Sequence, residues 1–449
     1  MANTSIRKTF SGNGNTKKWT LSWWEKKNKL GTVQRIFSCD EGGNNNHDDF
    51  FQWQTDDKLV MGFYDSGYYA NLTPDRNFRD TNGWYHFVFT WDTAQATASN
   101  RAKFYVNGVQ ETSFATETYP SQNKDSFINT TEPIEIGKRS DNDTQFLEST
   151  LSHVHFCDGY AYAASDFGST DATTGEWKIN TSPSVSYGTN GFWIFKDGNT
   201  ITDSSPNSND WSSVSGTLTK TEDCPSNVFA TLNPLNLQTG TKPIYENGNN
   251  SIAGSTDGGV YFYGASTLGM TSGKYYAEFK ITSASNNFQE IGVTGTPSEE
   301  ARNNKYIGYY SNSYAYNYDG NKLNNDSSTS YGDSINSQND IVGVALDVTN
   351  KKVYFSKNGV WQNSGVPTSG STGTGAAFTL SSTPVENAYF FGISSGNGTY
   401  MQTIQCNFGN GYFGTTAVSS AGTNASGNGI FEYDVPSGYT ALSTKGLNL

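Results

Sequence analysis

The segment GWYHFVFTWDT, residues 83–93, carries large side chains at every position of a β-period. Trp84, His86 and Val88 alternate with Tyr85, Phe87 and Phe89, so a strand here has to cover both of its faces. That demand is met inside a sandwich, where one face meets the opposite sheet and the other is covered in turn. The next stretch, AKFYVNGVQ, places Phe104 and Val106 on one face and ends in Asn107-Gly108, a two-residue turn suited to positive φ. VYFSKNGVWQN repeats the device at Asn358-Gly359. Aromatic and β-branched runs punctuated by Gly, Asn, Asp and Ser recur along the chain, and amphipathic helical periodicity is missing. The expected fold is all-β, built of sandwich strands. A short helical turn is expected near Ala161–Phe167.

Polarity here comes from Asn, Ser, Thr and 47 Gly; only 16% of the 449 residues are charged, against about 25% ordinarily. Aromatics reach 14%, which excludes an acidic disordered chain. The net charge of −13 and the shortness of the basic runs (Lys17-Lys18, Lys26-Lys27 with Lys29, Lys351-Lys352) argue against nucleic acid as a partner. No apolar run approaches the length of a membrane span, so membrane insertion is not expected. MANTSIRKTF has no apolar signal core, and nothing argues for secretory export. Cys39, Cys157, Cys224 and Cys406 are scattered, which favours small buried hydrophobes over a disulfide framework.

Composition marks a Ser/Thr/Asn/Pro-rich connector at 166–240 and a tail at 416–449 that begins with the soft run SSAGTNASGNG. WTLSWWEK, WYHFVFTWD with AKFYVNGVQ, and IEIGKRSDNDTQFLESTLSHVHF resemble strands of the laminin G-like branch of the concanavalin A-like jelly rolls. SGKYYAEFKI, YIGYYSNSYAYNYDGNK and NDIVGVALDVTNKKVYFSKNGVWQN resemble the SPRY domain. The two resemblances imply two β-sandwich, jelly-roll-like modules, 1–165 and 241–415, joined by an irregular connector. YGTNGFWIFKDG, SPNSNDW and PSNVFATLNPLN resemble a connector of virion proteins from tailed phages of marine bacteria, and PSGYTALSTKGLNL resembles their C-termini. The resemblance implies a virion protein at the particle surface: a fibre, appendage or decoration protein. Its partners would be other virion proteins and a host-surface glycan or protein receptor, and homo-oligomerisation follows by analogy with phage fibres. The alternatives are a polysaccharide depolymerase of the tail and an architectural cement protein.

Catalytic signals are thin. Glycosidases of the jelly-roll class place acids at E-x-D-x-E on one strand; Glu432 and Asp434 supply two positions and Pro436 fills the third. Gly392–Gly396 matches G-x-S-x-G, but no helix or histidine follows it, so a Gly-rich turn is expected. His153 and His155 share a face without a third ligand, and read as ordinary sheet histidines. The chain is expected not to be an enzyme, and no cofactor other than calcium is expected. For calcium, Asp40, Asp48 and Asp49 on one loop and Asp141 and Asp143 on another offer hard oxygen donors; the alternative is acidic solvated turns. For ligand binding, Tyr309, Tyr310, Tyr314, Tyr316 and Tyr318 alternate with small polar residues, and Tyr64, Tyr68 and Tyr69 surround a Gly turn. Tyrosine gives rigid amphipathic contact area. Period two fits a half-buried strand equally well, with Tyr314, Tyr316 and Tyr318 packed on the core.

Overall fold

The computed structural model describes the chain except residues 1–2, 41–46, 197, 199, 237, 239–242, 255–260, 284–288, 381–382, 397–402 and 449. It divides into two compact units, Met1–Lys220 and Thr221–Leu449. Each is a pair of mostly antiparallel sheets, as the alternating patterns require.

In the first unit, one sheet runs Phe114–Thr118, Tyr68–Pro74, Leu59–Asp65, His47–Trp53, Gln34–Asp40, Ile134–Ile136, Ser5–Lys8 and Ser212–Ser215. The facing sheet runs Phe192–Ile194, Ser149–Asp158, Lys18–Lys27, Tyr85–Asp92, Ala102–Val106 and Val109–Gln110. Phe87, Phe89 and Trp91 fill the space between the sheets, with Trp19 stacked on Trp91 at 5.9 Å and Phe89 edge-on to Phe51 at 5.2 Å. Val88 faces the other way, beneath a cover built from Ala164, Phe167, Trp177 and Tyr187. Both faces of this strand are therefore buried. Asn107 and Gly108 take φ of 48° and 81°, the geometry of a primed hairpin turn.

The second unit packs a sheet of Ile244–Glu246, Ser251–Ala253, Thr403–Asn407, Lys274–Ile281, Ile341–Asp347, Lys352–Lys357 and Val360–Trp361. Against it lies a sheet of Phe262–Ala265, Phe390–Ser395, Gln289–Thr294, Ser313–Asn317, Asn321–Asn324 and Ser327–Ser330. The helix Pro297–Arg302 covers part of the second sheet's outer face through Ala301, which packs with Tyr263, Ile307 and Ala315.

Three sequence expectations are corrected. The connector is irregular over most of its length, as expected, but it is not separate from the sandwich: Phe192–Ile194 pairs with Ser149–Asp158, and Ser212–Ser215 pairs with Ser5–Lys8. Its few apolar residues are spent at sheet edges, where pairing removes exposed strand groups; Trp211 packs edge-on to Phe192 at 4.9 Å. The 416–449 segment is not a tail. Thr440–Ala441 pairs in parallel with Lys274–Ile281, and Phe431, Val435 and Tyr439 join Tyr276 and Tyr354 in a buried cluster. Gly392–Ser395 is a strand interior rather than a turn, paired on both sides. The helical turn falls at Ala164–Asp166.

Candidate functional site

The five acids proposed for calcium do not converge. Asp48 and Asp49 are neighbours on one strand, so their side chains leave opposite faces. Asp48 takes a bidentate pair from Arg35, at 2.9 and 2.7 Å. Asp49 points inward, where it accepts from the Tyr69 hydroxyl at 2.7 Å and the Phe127 amide at 2.7 Å. Burial pushes its pKa up to about 7. Arg139 lies 3.8 Å from Asp40 and 2.7 Å from Asp141, and Lys138 lies 2.7 Å from Asp143. Among the described residues no group of three or more acidic, histidine or cysteine side chains is placed to hold a metal ion. Each carboxylate instead has a cation or donor of this chain. Excess calcium and EDTA are therefore expected to leave the melting temperature of the first unit unchanged; a calcium-dependent rise would restore the metal reading.

Of the first unit's tyrosines, Tyr69 is a structural donor to Asp49, and its own pKa is driven up by burial and that carboxylate. Tyr68 and Tyr64 lie on the outer face of the sheet. Tyr68 is 52% exposed. Its ring meets Tyr64 edge-on at 5.4 Å and Phe50 at 6.5 Å. The Arg35 guanidinium lies 3.8 Å over Phe50, and Phe50 fits flat because Gly62 lacks the Cβ that would collide with it. The result is a small aromatic platform with an ion pair at its rim.

In the second unit, the alternation of tyrosines is that of a core strand for two of them. Tyr314 and Tyr316 are 1% and 0% exposed. Tyr314 packs on Phe378 at 5.3 Å; Tyr316 stacks on Phe355 at 5.4 Å and donates its hydroxyl to the Asp333 carbonyl. These two cannot touch a ligand while the sandwich is folded, which corrects their assignment as contact residues. Tyr318 is half-buried past the strand end, where its amide bonds the Gln289 carbonyl at 3.0 Å.

Tyr309 and Tyr310 behave differently. Both are half-exposed and belong to the turn before the strand. Their rings meet edge-on at 5.1 Å, Tyr306 meets Tyr309 at 5.5 Å, and Tyr261 meets Tyr306 at 5.2 Å. Lys305 holds its ammonium 4.1 Å from the Tyr309 ring centre, a cation–π distance. Tyr306 donates to Asp326, and Asn303 donates to the Tyr310 hydroxyl at 2.9 Å. Asn324 pins the turn by donating to the carbonyls of Ser311 at 3.0 Å and Ser313 at 2.8 Å. Four tyrosines with a lysine and an aspartate thus form a pre-ordered surface. Tyr261, Tyr306, Lys305 and Asp326 were not singled out from sequence; the density of aromatics in YIGYY was the available signal.

Beneath this surface lie buried acids. Ser394 donates to Glu290 at 2.7 Å and accepts from the Ile307 amide at 3.0 Å; Tyr263 donates to Glu300 at 2.9 Å. Burial pushes both carboxyls up to about 8. Ser394 lies within a strand with a carboxyl beside it, and among the described residues no imidazole is one of its hydrogen-bond partners. Glu432 is taken by Ser419, and Asp434 by Thr423 at 2.7 Å. The Trp177 indole, which can only donate, lies 3.0 Å from His86 Nδ1. His86 Nε2 therefore carries the proton and donates to Ser22 at 2.9 Å, the reverse of nucleophile activation. His153 and His155 both pack on Trp193; His153 bonds Ser152 and His155 bonds Tyr187.

Residues 3–166 match the family model of the concanavalin A-like lectin/glucanases superfamily, and residues 274–399 match that of the SPRY domain. The chain therefore carries a laminin G-like domain followed by a SPRY domain. Similar solved structures include the SPRY domain of human HERC1, at 20% identity over 39% of this chain and 96% of that chain, with a TM-score of 0.30. Stonustoxin is similar at 18% identity over 41% of this chain and 27% of its own, TM-score 0.29. The native heptameric SAP-like pentraxin from Limulus polyphemus is similar at 16% identity over 36% and 71%, TM-score 0.27. No curated protein matches the chain.

Proposed function

We propose that this chain is a binding protein of a tailed-phage particle, displayed at the surface, that attaches to a host-surface glycan or receptor without covalent chemistry. The observation that carries the binding role is the half-exposed cluster of Tyr261, Tyr306, Tyr309 and Tyr310, fixed before any ligand arrives. Aromatic faces stack on apolar ring faces, while the hydroxyls, Lys305 and Asp326 supply hydrogen bonds to polar edges. The Tyr64–Tyr68 platform gives the other unit a similar, smaller surface. Support for the virion setting is the likeness of the connector and C-terminal sequences to phage virion proteins. Both segments are built into folded units here, as a rigid displayed protein requires. Several copies per particle, in a homo-oligomer or beside other virion proteins, would turn modest single-site affinity into avidity.

The test is adsorption of particles to host cells. Tyr309→Ala with Tyr310→Ala should slow adsorption while assembly stays normal, since a hot-spot aromatic costs about 2 kcal/mol or more. Wild-type adsorption by that variant, and by particles lacking the protein, would overturn the adhesion role; fragile particles in the second case would favour cement.

A further inference from the structure

The strand Lys18–Lys27 sends Trp19, Leu21 and Trp23 into the layer between the sheets of the first unit. The same alternation then carries Glu25 and Lys27 inward, and both are 0% exposed. A turn of the facing sheet, between His47–Trp53 and Leu59–Asp65, brings Asp57 to meet them. Asp57 is 4% exposed and held at a φ of 63°. The Lys27 amine lies 3.1 Å from Asp57 Oδ1 and 4.0 Å from the centre of the Trp53 ring, and donates to the Phe78 carbonyl at 3.1 Å. The indole N–H of the same Trp53 donates to Glu25 at 2.7 Å, with Trp23 at 3.1 Å and Ser149 at 2.6 Å completing the carboxyl's partners. One indole thus holds an amine on its face and a carboxyl at its edge. Arg79 Nε at 3.3 Å and the Gly31 amide at 3.0 Å are aimed at the two Asp57 oxygens.

Two features separate this cluster from an ordinary ion pair. Burying a charge pair between sheets costs desolvation that only good geometry repays. Burial also drives Lys27 toward the neutral amine, and Glu25 toward the neutral acid. An amine drawn toward its neutral form by burial, and held 3.1 Å from a fixed carboxyl, is a nucleophile placed against its electrophile at high effective concentration.

We propose that Lys27 and Asp57 condense to an intramolecular isopeptide bond that ties the two sheets of the first unit, with Glu25 holding the Trp53 ring against the Lys27 amine. One proton passes from the Lys27 ammonium to the Asp57 carboxylate, and the amine so formed attacks Asp57 Cγ; the C–N bond forms and one Cγ–O bond breaks. That oxygen leaves as water carrying the transferred proton and one more from Nζ, so no oxidant or cofactor is consumed. Arg79 and the Gly31 amide stabilise charge on the Asp57 oxygens as the carbon becomes tetrahedral. Glu25 acts as a positioning residue, through the shared Trp53 and its place one strand period from Lys27. The link closes a loop whose ends are 30 residues apart in sequence, which restricts the unfolded chain as a disulfide does.

The full chain is weighed by intact-mass spectrometry, then digested. The expected mass is lower than that of the sequence by one water, with one fragment joining the peptides that contain Lys27 and Asp57. Lys27→Arg and Asp57→Ala should each restore the full mass, and Lys27→Arg, which keeps the charge, should melt lower. In freshly folded Glu25→Gln the linked fraction should grow more slowly, and its rate should lose the pH dependence seen with Glu25. Linkage at the wild-type rate in that variant would remove the role of Glu25. Folded wild-type protein at full mass, with the two peptides separate, would overturn the bond. Ammonia loss at Asn107-Gly108 cannot imitate it, because that leaves the peptides unjoined.

Discussion

Tyr316→Ala is expected to unfold the second unit some 10 °C earlier while leaving every surface contact in place. The ring is fully buried, stacked on Phe355 at 5.4 Å and edge-on to Tyr331 at 5.6 Å. Removing a buried aromatic costs about 3–5 kcal/mol, from lost transfer energy and the cavity left behind. Its hydroxyl also satisfies the Asp333 carbonyl, which would lose that partner. For a unit of this size each kcal/mol shifts the midpoint by roughly 2–4 °C. Tyr309→Ala makes the contrast, because a half-exposed ring on a pinned turn should cost less than about 1 kcal/mol. Thermal denaturation of the two variants separates stability from recognition. An unchanged midpoint for Tyr316→Ala, with weakened adsorption, would put that ring at the ligand after all.

The second unit should also lose stability steadily as pH rises from about 5 to 8. Glu278, Glu290 and Glu300 are buried, and their pKa values are raised to about 7, 8 and 8 from 4.5. The principal cause in each is burial, which disfavours the carboxylate. Below about pH 4.5 these groups are protonated whether the chain is folded or not, and nothing is lost. Above it the unfolded chain ionises while the folded unit keeps its protons, so unfolding releases protons and is favoured by rising pH. The limit is about 1.4 kcal/mol per pH unit for each such group. Asp434, whose pKa is lowered by Thr423, acts in the opposite sense but only below its ordinary value of 3.8, outside this window. Glu290→Gln should keep an acceptor for Ser394, remove its share of the slope, and stabilise the unit at pH 8 by roughly 2 kcal/mol. Hydrogen exchange of second-unit peptides between pH 5 and 8 gives the readout. Protection that is flat or grows with pH would mean the carboxyls are ionised in the folded state.

Glu278 adds a local consequence. Its carboxyl accepts the backbone amides of Glu432 and Tyr433, each at 2.8 Å, so it fastens the C-terminal segment onto the sheet. Composition holds no hint of this, because Glu278 and its partners are more than 150 residues apart.

Local periodicity and turn chemistry were enough to define an all-β chain of sandwich strands, because they depend only on neighbours one or two residues away; the division into two modules came from the resemblance of their strand series to two families. Strands with large residues on both faces, such as Tyr85–Asp92, require cover on both sides, and the Asn-Gly turns at 107–108 and 358–359 fix their hairpins. Long-range packing settled the rest. Alternation said that Tyr314 and Tyr316 share a face, but not that this face meets Phe378 and Phe355. It could not show that Asp48 and Asp49, adjacent in sequence, would be claimed by Arg35 on one face and Tyr69 on the other. The connector and the C-terminal segment looked structureless because their few apolar residues lack a period of their own. Edge strands and covering segments borrow their order from the sheet they join. Such pairings span hundreds of residues, as between Ser5–Lys8 and Ser212–Ser215, and are set by the free edges and uncovered faces of a sheet already folded.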